Sequence, residues 1–469
     1  MAHGDGVSLW ALCAVAGLIL AWSLLSAHFE RFDVSGPIVF VLGGLILGHG
    51  PIEQLHMAAE TTFIHELAEI TLVLVLFSDA ARVDPGDLRR HAGLPLRLLA
   101  IGLPLTIAAG FGLAAALLTD VPWQLAALLG AALAPTDAAL SAAVVSDRAI
   151  PVRLRRTLNV ESGLNDGIAT PVVTGLIAAS TVLLGHGEFA DSASAPGWSA
   201  LRELVAGAGI GIVAGYVGGR AIRAARERGW TAPGGERVAT LMLAVLAFLV
   251  ARQLEVNYFV AAFVAGIAFR AGRHGESAPA PAAATPADGT PADAVASDAG
   301  DDPTVDESVE LPELLGQVLS LVVWYVFGAA LLVDGLRPAD WRIVVYALAS
   351  LTVIRMAPVA LSLVGSRTSG RDTVFLGWFG PRGLASVIFG LLIVEELPPG
   401  DPMVLTVTSA ITLTVVLSVV LHGVTARPMT AWLTRGGSAD AGPGASDATD
   451  DDASVVPRRP FGLRHRLHG

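Results

Sequence analysis

Apolar residues run continuously along this chain, neither alternating nor recurring once per helical turn. Stretches of roughly 17 to 25 residues with almost no charge repeat from end to end, each long enough to cross a bilayer core as a helix. Thirteen such segments are read near residues 7–26, 34–49, 59–79, 94–118, 122–147, 152–184, 201–223, 238–253, 256–271, 311–333, 342–364, 373–395 and 403–434. Barrel strands would alternate with period two, and these runs do not, so helices are predicted throughout. The expected fold is an all-α polytopic membrane protein of about 13 transmembrane helices. A first block of spans covers residues 1–271 and a second 311–434, separated by residues 272–310 and followed by a tail, 435–469.

Composition agrees. The 469 residues are 53% hydrophobic and 15% charged, which excludes an ordinary soluble domain. The opening "MAHGDGVSLW" has an aspartate and no arginine, so the first segment is expected to stay as a spanning helix and not to be cleaved as a secretion signal. The net charge of −12 is unevenly spread: residues 271–313 hold ten acidic residues against Arg273, and residues 436–456 hold five and no base. The Ala/Pro/Asp-rich stretch and the tail lack the apolar content to fold and are expected to be disordered. Cys13 is alone, so no intramolecular disulfide can form. Every basic residue is arginine, and the clusters Arg82/Arg89/Arg90, Arg148/Arg153/Arg155/Arg156, Arg220/Arg223/Arg226/Arg228, Arg367/Arg371 and Arg458/Arg459/Arg464/Arg466 fall in alternate loops. The positive-inside rule then sets the N-terminus outside and the C-terminus in the cytoplasm of a cell membrane, which requires an odd number of spans. The terminal "RRPFGLRHRLHG" reads equally as a segment resting on anionic membrane lipid or as a solvated tail. Nothing in the balance points to nucleic acid.

Ionisable side chains inside such spans are costly, so each is a functional candidate. The sixth span holds "NVESGLNDGIATP", in which Ser162 and Asp166 are four apart and share a face, as do Glu161 and Asn165 on the next strip. The fifth holds "LLGAALAPTDAALSAAVVS", where Pro135 ahead of Thr136 and Asp137 should unwind the helix and free backbone carbonyls. The twelfth is interrupted by Gly380, Pro381, Arg382 and Gly383. Two spans broken by Gly/Pro, one in each half, point to inverted repeats with a binding site between the breaks. Asp79 ends the third span, where a solvated helix end is an equal reading. Glu161 reads as half of a structural ion pair with Arg382; Arg355 is the other intramembrane arginine. His49, His56, His65, His186 and His422 read as interfacial, and the glycines of "GAGIGIVAGYVGG" as close helix packing.

Carboxylate, hydroxyl and carbonyl oxygens suit a small alkali cation and offer a soft transition metal nothing. A desolvated aspartate also competes for protons at physiological pH. If Asp166 holds either ion but not both, and faces one side at a time, the result is exchange. Asn165 cannot titrate, and Glu161 in a tight pair stays charged, so one cation for one proton is expected, with no cofactor.

"APTDAAL", "NVESGLNDG" and "FLGWFGPRG", in this order on the fifth, sixth and twelfth spans, resemble the sodium/proton antiporters of the NhaP/NHE type, in the first cation:proton antiporter family. "LFSDA" before a basic loop is similar to that family's third span. The resemblance covers about residues 7 to 434. It implies that Asp166 exchanges cation and proton, with Ser162 and the Thr136 carbonyl as further Na⁺ ligands. It implies that Asp137 organises the crossing of two unwound helices, that Asn165 braces it, and that Glu161 and Arg382 form a buried pair, with Arg355 as further structural support. Asp79 stands where many members have a glutamate near the ion. The implied assembly is a homodimer whose dimerisation scaffold holds a moving six-helix transport core. A K⁺-preferring antiporter of the same fold is the nearest alternative. Asp137 and Asp166 on adjacent spans also resemble an intramembrane aspartyl protease, but "GLND" lacks the glycine-aspartate motif of those enzymes. A channel would want a continuous polar pore instead of one compact site.

Overall fold

The computed structural model of the chain describes residues 9–30, 34–48, 62–83, 93–137, 140, 149–185, 196–273, 303–336, 340–398 and 400–440. Among them every regular element is helical: α1 (Leu9–Glu30), α2 (Gly36–Gly48), α3 (Thr62–Arg82), α4 (Gly93–Leu117), α5 (Trp123–Ala132), α6 (Val152–Leu183), α7 (Pro196–Glu227), α8 (Pro233–Gln253), α9 (Tyr258–Arg273), α10 (Pro303–Val326), α11 (Trp341–Leu351), α12 (Val353–Ser362), α13 (Gly370–Trp378), α14 (Leu384–Glu396) and α15 (Pro402–Asp440). Each of the thirteen predicted segments falls at least in part on one of these helices or on a pair of them; the segment at 122–147 is helical over Trp123–Ala132 and non-helical from there to Asp137, and residues 138–139 and 141–148 lie outside the described residues. Eight helical stretches are long and apolar enough to cross a membrane by length and composition, and α2 and α5 are shorter apolar helices.

The boundaries of two further segments differ. The helix predicted to start at residue 311 starts at Pro303. Proline suits a first helical position, and the added turns are held by burial of Ser308 and Val309 and by an ion pair of Glu310 with Arg237 on α8 at 3.1 Å. At the other end α15 runs to Asp440, beyond residue 434. Residues 274–302 and 441–469, most of the two segments expected to be disordered, lie outside the described residues, as do His49, His56 and His186.

The helices pack in two groups. In one, α3, α7, α8, α9 and α10 pack together, with α2 on α10 and α1 on α2. In the other, α4 packs on α5, α5 on α6, α12 on α13, and α15 on α11 and α14. The tightest pairing, α7 on α9, follows from the glycine run singled out above. A side chain at Gly207, Gly211, Gly215 or Gly219, each four residues from the last, would strike the carbonyl of Asn257, Ala261, Ala265 or Phe269 in turn. Without a hydrophobic drive between helices in lipid, such backbone approach supplies the contact. The groups meet where α3 lies along α6 and α14, and where α9 crosses α6.

Candidate functional site

The site is built from two interruptions that face each other. In the first, α5 ends at Ala132 and the chain runs without helix through Leu133, Ala134, Pro135, Thr136 and Asp137. In the second, α13 ends at Trp378 and α14 begins at Leu384, leaving Phe379 to Gly383 between them. Backbone groups freed in this way must find other donors and acceptors, because a buried unpaired carbonyl costs about 1–3 kcal/mol.

Here the two breaks answer one another. The Asp137 amide donates to the Pro381 carbonyl at 2.9 Å, and the Leu384 amide donates to Asp137 Oδ2, also at 2.9 Å. The Asp137 carboxylate thereby caps the N-terminus of α14, where the helix dipole favours a negative charge. A side chain at Gly383 would occupy the space of that carboxylate, which is why the break needs glycine there. Arg382 is fully buried and spends its guanidinium on carbonyls: Nη1 donates to Ala134 O at 2.7 Å and Pro135 O at 3.3 Å, and Nη2 to Ser350 O at 3.3 Å. Ser386 Oγ donates to Ala132 O at 2.8 Å.

Against this crossing lies α6. Glu161, Ser162, Asn165 and Asp166 are 2%, 5%, 1% and 9% exposed, so the polar strip faces protein and not lipid. Ser162 Oγ donates to the Thr136 carbonyl at 2.9 Å, which leaves the hydroxyl's lone pairs as acceptors or ligands. Asn165 Nδ2 donates to Thr136 Oγ1 at 2.7 Å and to Thr136 O at 3.3 Å, which ties α6 to the first break next to Asp137. Thr136, Ser162, Asn165 and Asp166 thus form one oxygen-rich group, with Ser162 and Asp166 one turn apart on a single face.

The pairing expected for Glu161 is corrected. Its carboxylate meets Arg355 on α12 in a bidentate pair, Nη1 to Oε1 at 2.6 Å and Nη2 to Oε2 at 2.9 Å, not Arg382. The reason is competition: Arg382 sits inside a break whose freed carbonyls already take its donors, whereas Arg355 lies on an intact helix and has the Leu376 carbonyl, at 3.4 Å, as its other acceptor. Gly380 makes room, since a Cβ there would stand 2.5 Å from Arg355 Nε.

Asp79 is 9% exposed, buried and not at a solvated helix end. A side chain at Gly266 of α9 would run into the Phe77 carbonyl of α3, and one turn earlier Phe263 lies against Gly167, the residue after Asp166. One turn of α9 therefore touches both the Asp79 turn and the Asp166 turn.

Two histidines expected at the interface are buried. His65, 5% exposed, places Nδ1 2.8 Å from Glu395 Oε2 of α14. His422, 3% exposed, lies beside the second break. Ser350, Ser386 and Ser418, which also hold the breaks, carried no signal in the sequence, because a serine in an apolar span reads as ordinary packing. Among the described residues no cluster of three or more His, Cys, Asp or Glu is gathered as a metal cage, and the carboxylate, hydroxyl and carbonyl oxygens of the site are hard ligands.

Known proteins are similar to this chain in sequence and in fold. The family model described as sodium/hydrogen exchanger, transmembrane, matches residues 17–432. A K(+)/H(+) antiporter NhaP of Alkalimonas amylolytica is 24% identical over 94% of this chain and 70% of its own length. A K(+)/H(+) antiporter NhaP2 of Shewanella baltica is 24% identical over 82% of this chain and 61% of its own. In fold, the structure of the sodium proton antiporter MjNhaP1 from Methanocaldococcus jannaschii superposes with a TM-score of 0.68 at 21% identity, covering 91% of this chain and 99% of that one. The chain therefore belongs to the sodium/hydrogen exchanger family, as a multi-pass membrane protein of the cation/proton antiporter type and not an enzyme.

Proposed function

We propose that the protein exchanges one monovalent cation for one proton across the cytoplasmic membrane, with both ions competing for the Asp166 carboxylate. The observation that carries this reading is the grouping of buried oxygens on one side of the crossed breaks: Ser162 and Asp166 on one face of α6, with Thr136 bonded to Ser162. Asp166 would supply the charge, Ser162 Oγ and the Thr136 carbonyl further ligands, and Asp79 a second carboxylate near the ion. Glu161 is paired with Arg355, the Asp137 carboxylate caps α14 and Asn165 cannot titrate, so of the carboxylates within the site Asp166, beside Ser162, is the one read as carrying the proton, with Asp79 on the other helix group; this supports a one-for-one count.

Alternating access follows if the group containing α5, α6 and α14 moves against the group built on α3, α9 and α10. A homodimer joined through the second group, with the N-terminus outside and the C-terminus cytoplasmic, completes the proposal. The cation is Na⁺ or Li⁺ in the first reading. K⁺ is the second, favoured by the names of the sequence relatives, which are K(+)/H(+) antiporters.

Proteoliposomes with an acidified lumen test both. Addition of the transported cation should release protons, with Na⁺, Li⁺ and K⁺ compared at equal concentration, and Asp166→Asn should abolish the signal. Proton release by Asp166→Asn at the native rate would remove Asp166 from the mechanism.

A further inference from the structure

The second break has an attachment that the ion site does not use. Ser418 and His422 lie one turn apart on α15, 0% and 3% exposed. The Arg382 amide, at the far end of the break, donates to Ser418 Oγ at 2.7 Å. The Trp378 carbonyl, at the near end, lies 2.9 Å from His422 Nε2. A carbonyl can only accept, so Nε2 carries a hydrogen. The other nitrogen, Nδ1, stands 3.3 Å from Ser418 Oγ and 2.9 Å from Ser418 O. Nδ1 therefore lies nearer to the Ser418 carbonyl than to the hydroxyl, and Ser418 Oγ is held by the Arg382 amide that it accepts. Ser418 and His422, on one turn of α15, thus hold Arg382 and Trp378 on either side of Phe379 to Pro381.

Trp378 is fixed to the same helix twice more, by its indole N–H to Thr425 Oγ1 at 2.9 Å and by its ring beside the imidazole, with centroids 5.5 Å apart. Among the described residues the charged groups acting on His422 are Arg382 from the break and Arg355 from α12, both cations, and the ring is held by the backbone carbonyls of Ser418 and Trp378.

We propose that His422 is a positioning residue for cation binding. It fixes the two ends of the second break at one separation and so sets where Arg382 holds the Ala134 and Pro135 carbonyls, and through them the Thr136 oxygens. It touches neither cation nor proton. The proposal rests on the exchange reading, which the native protein tests by itself: no cation-driven proton release in native proteoliposomes would fail that reading, not this one.

Three variants compared in proteoliposomes, with proton release measured across a cation titration and a melting temperature taken for each, decide it. His422→Gln keeps an N–H for Trp378 O, and its half-saturating cation concentration should stay within about twofold of native, whereas His422→Leu should raise that concentration about five- to tenfold, as the loss of one buried hydrogen bond predicts. Ser418→Ala, which removes the partner of the Arg382 amide, should raise it likewise and keeps the test open should the leucine variant not assemble. The proposal is overturned if the leucine or alanine variant lowers only the melting temperature and maximal rate while half-saturation stays native, or if glutamine impairs half-saturation as much as leucine.

Discussion

Two buried arginines and one buried glutamate compete near the crossing, and which arginine takes the glutamate is a matter of what else each can reach. Arg382 has the carbonyls of Ala134, Pro135 and Ser350, while Arg355 forms two short bonds to Glu161. The sequence alone favoured Arg382 for Glu161, because hydropathy shows that both arginines lie in apolar spans but not which carbonyls a break will turn toward them. Removing one member of a buried pair strands the other charge at a cost of about 3–5 kcal/mol, while replacing both by apolar groups of similar volume is often neutral. Arg355→Met should therefore lower the melting temperature sharply, and Glu161→Gln combined with Arg355→Met should recover most of the loss. A double variant as unstable as the sum of the two single ones would show that the residues are not coupled.

At the scale of helices, the functional elements are those that stop being helical. Pro135 and the Gly380, Pro381, Gly383 group were legible as breaks because proline and glycine act through the local backbone, which one sequence states directly. The glycine spacing of α7 was legible for the same reason. The interlocking of the breaks was not, since it depends on Asp137 reaching Leu384 across 247 residues. Nor was the start of α10 at Pro303, where burial of Ser308 and Val309 and the Glu310 pair with Arg237 outweigh a polar composition.

The meeting of α3 with α14 has a mechanical consequence. His65 Nδ1 of α3 and Glu395 Oε2 of α14 lie 2.8 Å apart, and nearby Tyr258 of α9 donates to Glu69 of α3. If α14 moves with the ion site while α3 stays, the first contact must open in each cycle. With Cys13, exposed on α1, changed to serine, a short bismaleimide joining His65→Cys to Glu395→Cys should stop transport. Cross-linked protein that exchanges ions at the native rate would rule out relative movement of these two helices.

Across the whole molecule, the fold was the most legible property, because a chain with a mean hydropathy of +0.62 and continuous apolar runs has few alternatives to bundled spanning helices. Net charge was the least informative: the acidic excess lies in residues 271–313 and 436–456, apart in sequence from the motifs of the site. What the architecture adds is separation. One helix group carries the crossed breaks and the Asp166 strip, the other carries Asp79, and the two touch through α3, α6, α9 and α14, so a small displacement along that seam would change which side reaches a fixed carboxylate.

The central claim is that one carboxylate serves two ions in turn, and the variation of cation affinity with pH tests it most directly. In proteoliposomes of the native protein, labelled-cation uptake measured over a range of pH should show a half-saturating concentration that rises in step with proton concentration on the acid side, about tenfold per pH unit in the competitive limit, while the maximal rate stays constant. A maximal rate that falls on acidification while half-saturation stays fixed would mean that cation and proton occupy different sites, and would contradict the account.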